Sequence, residues 1–384
     1  MILSIINWIN KLIFSNSRKV FYINIEENVK LLNKLNLALV LDDNLLSRSY
    51  YQYLCYKKIY GNSKLFLLNI VCFFLILPVT ILFLITRVFV RKKMSNENIA
   101  ICFAFHEGTI PYSLSQEYSI LRTLNSSFCL EFSDLIEVSN ILIKYPLSPF
   151  FVLKIVSKIA QYKYFIRKFD CRALIVTSEY SFTSSYLTSY CKKNNLKHIN
   201  IMHGEKFYHI LDSFFSFDKC YVWDIHYVNI FQKLHASQNQ FIVEKPPILS
   251  ELEKYSDIVG SDFKYYLDGT ESILEIRRLA EYLEIKFKNV NVIFRAHPVF
   301  TDFKMLKDNL INFENPDLVK ISDSLKSCEY VCAKFSTVLF QGSLMNRKIV
   351  IDDISDPKLF KQLEKMEYII FSKRYIKLSE LLNI

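Results

Sequence analysis

Glycine is scarce in this sequence. Six glycines occur in 384 residues, and no two of them lie close enough to form a G-x-G-x-x-G or Walker-type loop. The usual dinucleotide- and NTP-binding loops are therefore excluded. In a chain with so few glycines, each one is expected where a side chain has no room, because φ is positive or because a ligand approaches the backbone.

Paired cysteines and an Asp-x-Asp motif are also missing. The nine cysteines are scattered, with no Cys-x-x-Cys pair, so the sequence indicates neither a disulfide scaffold nor a zinc knuckle. Reduced thiols in a cytosolic environment are the simpler interpretation. Asp352-Asp353 follows a short apolar segment and is interpreted as a loop. We expect no metal site and no cofactor.

The charge balance is basic, with 48 Lys and Arg against 38 Asp and Glu and a formal net charge of +10. Such an excess suits a nucleic acid, an anionic membrane surface or phosphorylated ligands. The basic residues do not form an Arg-rich helix with interleaved aromatics, and helix-turn-helix and zinc-finger patterns are missing. We therefore expect no nucleic acid partner.

One long run of apolar residues occurs, over residues 65–86. It contains no charged residue, is flanked by Lys and Arg on both sides, and has Pro78 near its centre. Roughly 20 apolar residues match the core of a bilayer. The run predicts membrane attachment, either as a span or as a hairpin broken at Pro78 that re-enters the same leaflet. A wholly buried pair of core helices is the alternative.

The first 14 residues place apolar side chains at helical spacing, with Trp8 and Lys11 beside them. This pattern predicts an amphipathic helix, which could lie on a membrane or dock on the core of the protein. A basic leader segment and a small-residue cleavage site are missing, so a signal peptide is not indicated.

From about residue 96, short strands alternate with amphipathic helices. Examples are a strand over 99–105, a helix over 113–124, a strand over 263–268 and a helix over 271–288. Alternation of this kind predicts parallel sheets with right-handed crossovers. We expect an α/β fold with a helical membrane-attachment region over 1–95. Two Rossmann-like domains, over 96–245 and 246–384, are expected to face each other across a cleft.

In the first domain, polar residues follow two predicted strands. Glu107-Gly108 comes after the strand over 99–105, where a partly desolvated carboxylate could serve as a general base or form an ordinary solvated turn. His203-Gly204 comes after the strand over 198–202. It could offer a donor and exposed backbone to a ligand, or be a capped core histidine.

Three further segments follow strands of the second domain. Gly269-Thr270 precedes a helix and could be an anion site or an N-cap. Arg295 and His297, in Arg-x-His-Pro, close a strand, and Pro298 restricts His297 to extended geometry. Its imidazole could donate to a phosphate oxygen, with Arg295 adding charge. Ser336-Thr337 stands at a helix N-terminus, as a phosphate site or an N-cap.

The Arg-x-His-Pro segment, followed about 40 residues later by Ser-Thr-x-Leu, resembles the bacterial GT-B glycosyltransferases that carry an HP motif and a Ser/Thr motif. These include sialyltransferases and polysialyltransferases and, more loosely, Kdo and CDP-glycerol polymer transferases. The resemblance covers residues 96–353. It implies a GT-B fold in which Glu107 is the catalytic base, although His106 stands where the family has a second acid. His297, Ser336 and Thr337 would hold the phosphate of a CMP donor.

The resemblance further implies single displacement with inversion and no metal. The donor would be a CMP-activated nonulosonic (sialic-acid-like) acid, and the acceptor a glycan or lipid-linked glycan of lipopolysaccharide or capsule. The site would comprise Glu107 and His297 as catalytic residues. Its donor-binding residues would be Arg295, His297, Ser336, Thr337, Gly269, Thr270, His203 and Gly204. The apolar run predicts a location on the cytoplasmic face of the bacterial inner membrane, attached through residues 65–86 with residues 1–14 as a second candidate.

Other classes remain open. A Kdo or CDP-glycerol-type transferase would use the same motifs. A nucleotide-sugar 2-epimerase would share two Rossmann-like domains, but it needs glycine-rich loops that six glycines hardly provide. A scaffold that only binds glycan or partner subunits would keep the fold without catalysis.

Overall fold

The computed structural model describes residues 24–91, 98–103, 107–123, 127–202, 204–257 and 260–384. The helix expected over residues 1–14 lies outside this part of the chain. Two compact units are present. The first comprises Met1–His203 and Tyr208–Pro246, and the second comprises Gly204–Phe207 and Pro247–Ile384. The helices that precede residue 91 therefore belong to the same unit as the sheet that follows them.

Within the described residues, three helices precede the sheet of the first unit: α1 (Ile25–Leu41), α2 (Leu45–Tyr60) and α3 (Asn62–Thr86), which continues into a 3-10 turn at Arg87–Phe89. Helix α3 runs without a break through Pro78. The hairpin broken at Pro78 is thus wrong. The wholly buried pair of core helices is wrong too, because one face of α3 is buried while the other exposes large apolar side chains.

The first unit is built on a six-stranded parallel sheet in the order β2-β1-β3-β4-β5-β6. Its strands are β1 (Ile99–Cys102), β2 (Ser119–Arg122), β3 (Ala173–Val176), β4 (Lys197–Ile201), β5 (Lys219–Val222) and β6 (Phe241–Val243). Its further helices are α4 (Tyr112–Glu117), α5 (Phe132–Lys144), α6 (Pro149–Phe169), α7 (Ser184–Lys193) and α8 (Ile225–Lys233). All four residues of β3 are buried, as is typical of parallel strands covered on both faces.

The helix expected over residues 113–124 is only half right. Helix α4 ends at Glu117, and Tyr118 takes extended backbone angles. The chain then forms the edge strand β2, which pairs in parallel with β1 from Ser119 to Arg122. The apolar spacing of this segment fits a helix, but pairing with the exposed edge of β1 decides the outcome.

The second unit contains a second six-stranded parallel sheet in the order β12-β11-β10-β7-β8-β9. Its strands are β7 (Asp262–Tyr266), β8 (Val292–Arg295), β9 (Phe313–Glu314), β10 (Cys328–Ala333), β11 (Lys348–Ile351) and β12 (Ile376–Lys377). Its helices are α9 (Pro247–Glu253), α10 (Ile273–Lys286), α11 (Phe303–Asp308), α12 (Ile321–Ser327), α13 (Thr337–Leu344), α14 (Pro357–Lys365) and α15 (Leu378–Leu382). The predicted α/β class with two parallel sheets is confirmed.

Candidate functional site

The candidate site lies at the carboxyl edge of the second sheet, where three central strands end. Strand β7 pairs with β10 on one side and with β8 on the other, all in parallel. The loops that leave these strands therefore meet at one edge: 267–272 after β7, 296–301 after β8 and 334–337 after β10. Neighbouring strands lie about 4.8 Å apart, so the loops after β8 and β10 stand roughly 10 Å apart.

The side chain of His297 is fixed by its own turn. Its Nδ1 accepts hydrogen bonds from the backbone N–H of Val299 at 3.1 Å and of Phe300 at 3.3 Å. Its backbone N–H donates to Thr301 Oγ1 at 2.8 Å, and its ring stacks on Phe300. Because Nδ1 is an acceptor, the neutral ring carries its proton on Nε2. Burial lowers the pKa of His297, against a weaker opposite influence of Asp268, so the ring stays neutral near pH 7.

Gly269 lets the loop after β7 pack directly on this turn. Its φ is +81°, and a Cβ at this position would come within 2.4 Å of Phe300 Cβ and 2.7 Å of Phe300 C. The close approach expected at a scarce glycine is therefore found, but the neighbour is the turn that carries His297 rather than a ligand. Gly269 thus positions His297 through contact.

The anion site expected at Gly269-Thr270 is occupied by a side chain of the same loop. The carboxylate of Glu271 accepts from the backbone N–H of Asp268 at 3.1 Å, of Gly269 at 3.0 Å and of Thr270 at 3.1 Å. These amides are therefore not available to a phosphate. Nor is Thr270 the N-cap, because α10 is capped by Ser272.

A buried lysine that belongs to none of the predicted motifs joins two of the three loops. Lys334, directly after β10, lies 3.0 Å from Glu271 Oε1 and 3.8 Å from Asp268 Oδ2, and its ammonium donates to Thr270 Oγ1 at 3.4 Å. Burial and repulsion from Asp268 raise the pKa of Glu271, while Lys334 acts in the opposite direction. The only sequence signal was a lysine at the end of an apolar strand.

Arg295 does not contribute its guanidinium to this edge. The side chain is buried, pairs with Glu314 and donates to the backbone oxygen of Val319 at 2.8 Å. Glu314 also accepts from Lys264 at 2.6 Å. Burying a cation requires a paired carboxylate, and Glu314 supplies it for both. The expectation that Arg295 adds charge at the donor phosphate is thus not supported by its position.

Ser336 and Thr337 open helix α13. Ser336 is the N-cap, and its Oγ accepts from Val338 N at 3.2 Å. Its backbone is held by two hydrogen bonds to buried Tyr368, whose hydroxyl accepts from Ser336 N at 3.3 Å and donates to Ser336 O at 2.7 Å. Thr337 is the first helical residue and is half-buried. Among the described residues, its N–H and Oγ1 have no hydrogen-bond partner.

The segment Gly204–Phe207 belongs to the second unit and lies beside this helix N-terminus. Phe207 packs on Tyr368 with ring centroids 5.4 Å apart. Burial and the charge of Glu205 raise the pKa of Tyr368, the residue that is hydrogen-bonded to the backbone of Ser336. The structure thus brings Gly204 to the same region as Ser336 and Thr337. His203, the preceding residue, is outside the described residues.

The predicted base lies in the first unit, on the loop after β1. Glu107 begins a 3-10 turn, Glu107–Thr109, and its side chain is outside the described part of the chain. Strands β1 and β4 flank β3, so the loops that carry Glu107 and Gly204 both leave the same edge of the first sheet. The role of Glu107 stays a prediction.

Chemically, this edge of the second sheet presents neutral donors. They are the Nε2–H of His297, the backbone N–H and hydroxyl of Thr337, and the hydroxyl proton of Ser336. The positive end of α13 adds to them. Within the described ranges, no group of three or more His, Cys, Asp and Glu could hold a metal ion. The arrangement suits an oxyanion such as a phosphate, which accepts hydrogen bonds and follows the helix dipole.

No protein-family model matches the sequence, and no curated protein matches it significantly. Among solved structures, the chain is similar to the wall teichoic acid polymerase TagF, with 10% identity, 76% of this chain and 79% of that chain covered, and a TM-score of 0.41. It is similar to the UDP-GlcNAc 2-epimerase of Methanocaldococcus jannaschii, with 13% identity, 70% and 92% coverage and a TM-score of 0.40. A glycotransferase of kitacinnamycin gives 8% identity, 75% and 90% coverage and a TM-score of 0.43. All three TM-scores lie below 0.5, so these similarities carry no argument about activity.

Proposed function

We propose that this chain is an inverting glycosyltransferase that moves a sugar from a nucleotide-activated donor to a bacterial surface glycan. The observation that carries the proposal is the set of neutral donors at the ends of β8 and β10. They belong to the two motifs whose spacing resembles that of the HP and Ser/Thr glycosyltransferases. The proposed donor is a CMP-activated nonulosonic acid, because that subgroup places an acid before glycine, as in Glu107-Gly108.

In the proposed reaction, an acceptor hydroxyl oxygen attacks the anomeric carbon while the bond from that carbon to the donor phosphate oxygen breaks. The electron pair of this bond stays on the departing CMP, and the hydroxyl proton passes to the carboxylate of Glu107. The phosphate gains negative charge as it leaves. Donors that are already oriented stabilise this developing charge more than they stabilise the bound donor.

The neutral state of His297 has a function in this scheme. Its Nδ1 accepts two backbone N–H groups, so a second proton on the ring would disrupt the turn that holds it. Near pH 7 the ring is therefore a fixed Nε2–H donor. Thr337 supplies two more donors from a helix N-terminus, where the backbone geometry is set by Tyr368 and Ser336.

The test uses the full-length protein and a panel of CMP, CDP and UDP sugars, with release of free nucleotide followed with and without a glycan acceptor. We expect CMP release that depends on the acceptor. Thr337→Val should weaken donor affinity about tenfold or more, since a hydrogen bond to a charged group contributes about 1.5–3 kcal/mol. Thr337→Ser, which keeps the hydroxyl, is the matched control and should retain most of the affinity.

His297→Ala should weaken donor affinity in the same way, and Glu107→Gln should abolish turnover while CMP still binds. Wild-type donor affinity and turnover in all three variants would overturn the proposal. Release of UDP from a UDP sugar without an acceptor would instead indicate an epimerase-like enzyme. The absence of binding to any nucleotide would leave the scaffold alternative.

A further inference from the structure

Helix α3 has one buried face and one exposed face, although nearly all its residues are apolar. One side packs along α6 and is buried, at Leu65, Leu68, Cys72, Ile76, Val79, Thr80 and Phe83. On the other side, nine large side chains keep between 42% and 71% of their surface exposed: Phe66, Leu67, Ile70, Val71, Phe73, Phe74, Leu77, Ile81 and Ile85. These nine residues are called the α3 apolar face below. An exposed apolar surface of this extent marks an interaction site.

Hydrogen bonds near both ends of α3 attach the helix to the first unit. Near its start, Asn69 Oδ1 accepts from the backbone N–H of Phe150, in the first turn of α6, at 2.9 Å. At its end, Thr86 Oγ1 donates to Phe128 O at 2.6 Å, and Leu130 N donates to Phe83 O at 2.9 Å. A helix that crosses a bilayer alone is surrounded by lipid, whereas α3 is covered by protein along one whole side.

Beyond its first turn, the polar side chains of α3 make their hydrogen bonds within the first unit, although Asn69 also borders an open groove on the exposed side. Asn69 bonds to Phe150, and Thr80 and Thr86 donate to backbone oxygens within the unit. A protein partner is usually met by polar groups at the rim of an interface, while lipid tails offer nothing to bond with. The α3 apolar face, whose neighbouring polar side chains are bonded within the unit, therefore fits lipid.

The apolar surface extends beyond α3 onto α5 and the loop after it. Phe132 and Ile136 of α5 are exposed, and the guanidinium of Arg87 lies 5.9 Å from the Phe132 ring. At the other end, Leu147 is 91% exposed and lines an open groove of about 890 Å³ together with Phe66 and Phe74. Exposed apolar side chains near both ends of α3 thus add to its apolar face.

The charge around this surface identifies the kind of lipid. Residues 44–96 contain eight Lys and Arg and no Asp or Glu. Two of the eight, Arg48 and Lys58, pair with Asp43 and Glu27 outside this range. Lys64 is exposed at the start of α3 and Arg91 just past its end, and Lys57 lines the groove. Each Lys or Arg near an anionic bilayer contributes about 1 kcal/mol of attraction. Positive charge at both ends of α3 suits a helix that lies flat, since a span would carry one end across the bilayer.

We infer that the α3 apolar face binds the surface of an anionic lipid bilayer, with α3 lying in the plane of the membrane as a monotopic attachment and not crossing it. The apolar side chains enter the boundary between headgroups and acyl chains, and the basic residues at both ends meet the headgroups. This inference is independent of the proposed reaction and specifies how residues 65–86 attach the protein.

The test is sedimentation of the full-length protein with vesicles of phosphatidylcholine alone or of phosphatidylcholine and phosphatidylglycerol at a ratio of about 3 to 1. We expect binding to the anionic vesicles at least tenfold stronger than to the neutral ones. Phe74→Ser with Leu77→Ser should reduce it at least tenfold. The matched control is Leu274→Ser with Ile285→Ser, which removes equally exposed apolar side chains, 72% and 71% exposed, from α10. The control should bind like the wild type.

The nine native cysteines are all buried, so introduced cysteines can report orientation. With protein bound to sealed vesicles, we expect Ser63→Cys and Arg91→Cys to react equally with a membrane-impermeant maleimide. Protection of one of the two would show a span and overturn the inference. Equal vesicle binding by wild type and the α3 double variant would also overturn it. So would a dimer that this variant abolishes while neither protein binds vesicles, because the face would then be a protein interface.

Discussion

Replacement of Gly269 by alanine tests whether the loop after β7 holds the turn that carries His297. The φ of +81° is unfavourable for a residue with a side chain, at a cost of about 1–2 kcal/mol. The new Cβ would also stand 2.4 Å from Phe300 Cβ and 2.9 Å from Phe300 O, where the backbone must move. Overpacking of this kind adds about 1–3 kcal/mol. We therefore expect Gly269→Ala to destabilise the second unit by about 2–5 kcal/mol.

For a unit of this size, each kcal/mol lowers Tm by about 2–4 °C, so we expect a fall of roughly 10 °C in a thermal unfolding scan. If Phe300 moves, the imidazole of His297 moves with it, and donor affinity should fall about as much as in His297→Ala. Gly204→Ala is the matched control for stability, since its Cβ would meet nothing within 4 Å and its φ is not positive. A Tm within 1 °C of wild type, together with unchanged donor affinity in Gly269→Ala, would refute the reasoning.

Two further predictions concern buried ionisable groups. Lys334→Met leaves the buried carboxylate of Glu271 without its cation and should cost about 3–5 kcal/mol at pH 8 in urea unfolding. The loss should shrink as the pH falls, because burial raises the pKa of Glu271 and protonation removes the unpaired charge. Lys348→Met, which breaks the exposed pair with Glu329, should cost under about 1 kcal/mol, and equal losses in the two variants would contradict the first expectation. His198 is fully buried against Tyr162 and Thr188, and burial lowers its pKa to about 3. Between about pH 6.5 and pH 3 the unfolded chain therefore binds a proton that the folded chain does not, so the first unit should lose about 1.4 kcal/mol per pH unit on acidification within this range. His198→Gln should lose this slope, and an unchanged slope would show that His198 is not its source.

The sequence predicted most elements of the second sheet because each strand is a short apolar run bounded by polar residues. The polar segments that follow β7, β8 and β10 were also predicted, although β7 ends at Tyr266 and not at residue 268, and the structure places the loops after these strands at one edge. The helix predicted over 113–124 was partly wrong because tertiary pairing overrides the local pattern. Its apolar spacing fits a helix, and only the position of β1 beside it makes Ser119–Arg122 a strand.

The side-chain partners at the site were harder to predict. Arg295 was expected to bind the donor phosphate, but its side chain pairs with Glu314 of the neighbouring strand β9. Pairing between strands cannot be predicted from local spacing in the sequence. By contrast, Glu271 directly follows Asp-Gly-Thr. Its hydrogen bonds to the backbone N–H groups of that loop could therefore have been predicted from the local sequence. On α3, apolarity alone does not tell the two faces apart. The inward positions of Asn69 and Thr80, three turns apart, were the available clue.

The path of the chain through Gly204–Phe207 has a consequence for dissection of the protein. The polypeptide leaves the first unit after residue 203, gives four residues to the second, and returns for residues 208–246. A polypeptide that stops at residue 246 would carry Phe207 without Tyr368 to pack on, and one that starts at residue 247 would expose Tyr368 where Phe207 had covered it. Neither half is self-contained, so cutting this protein at a single peptide bond cannot yield two intact lobes.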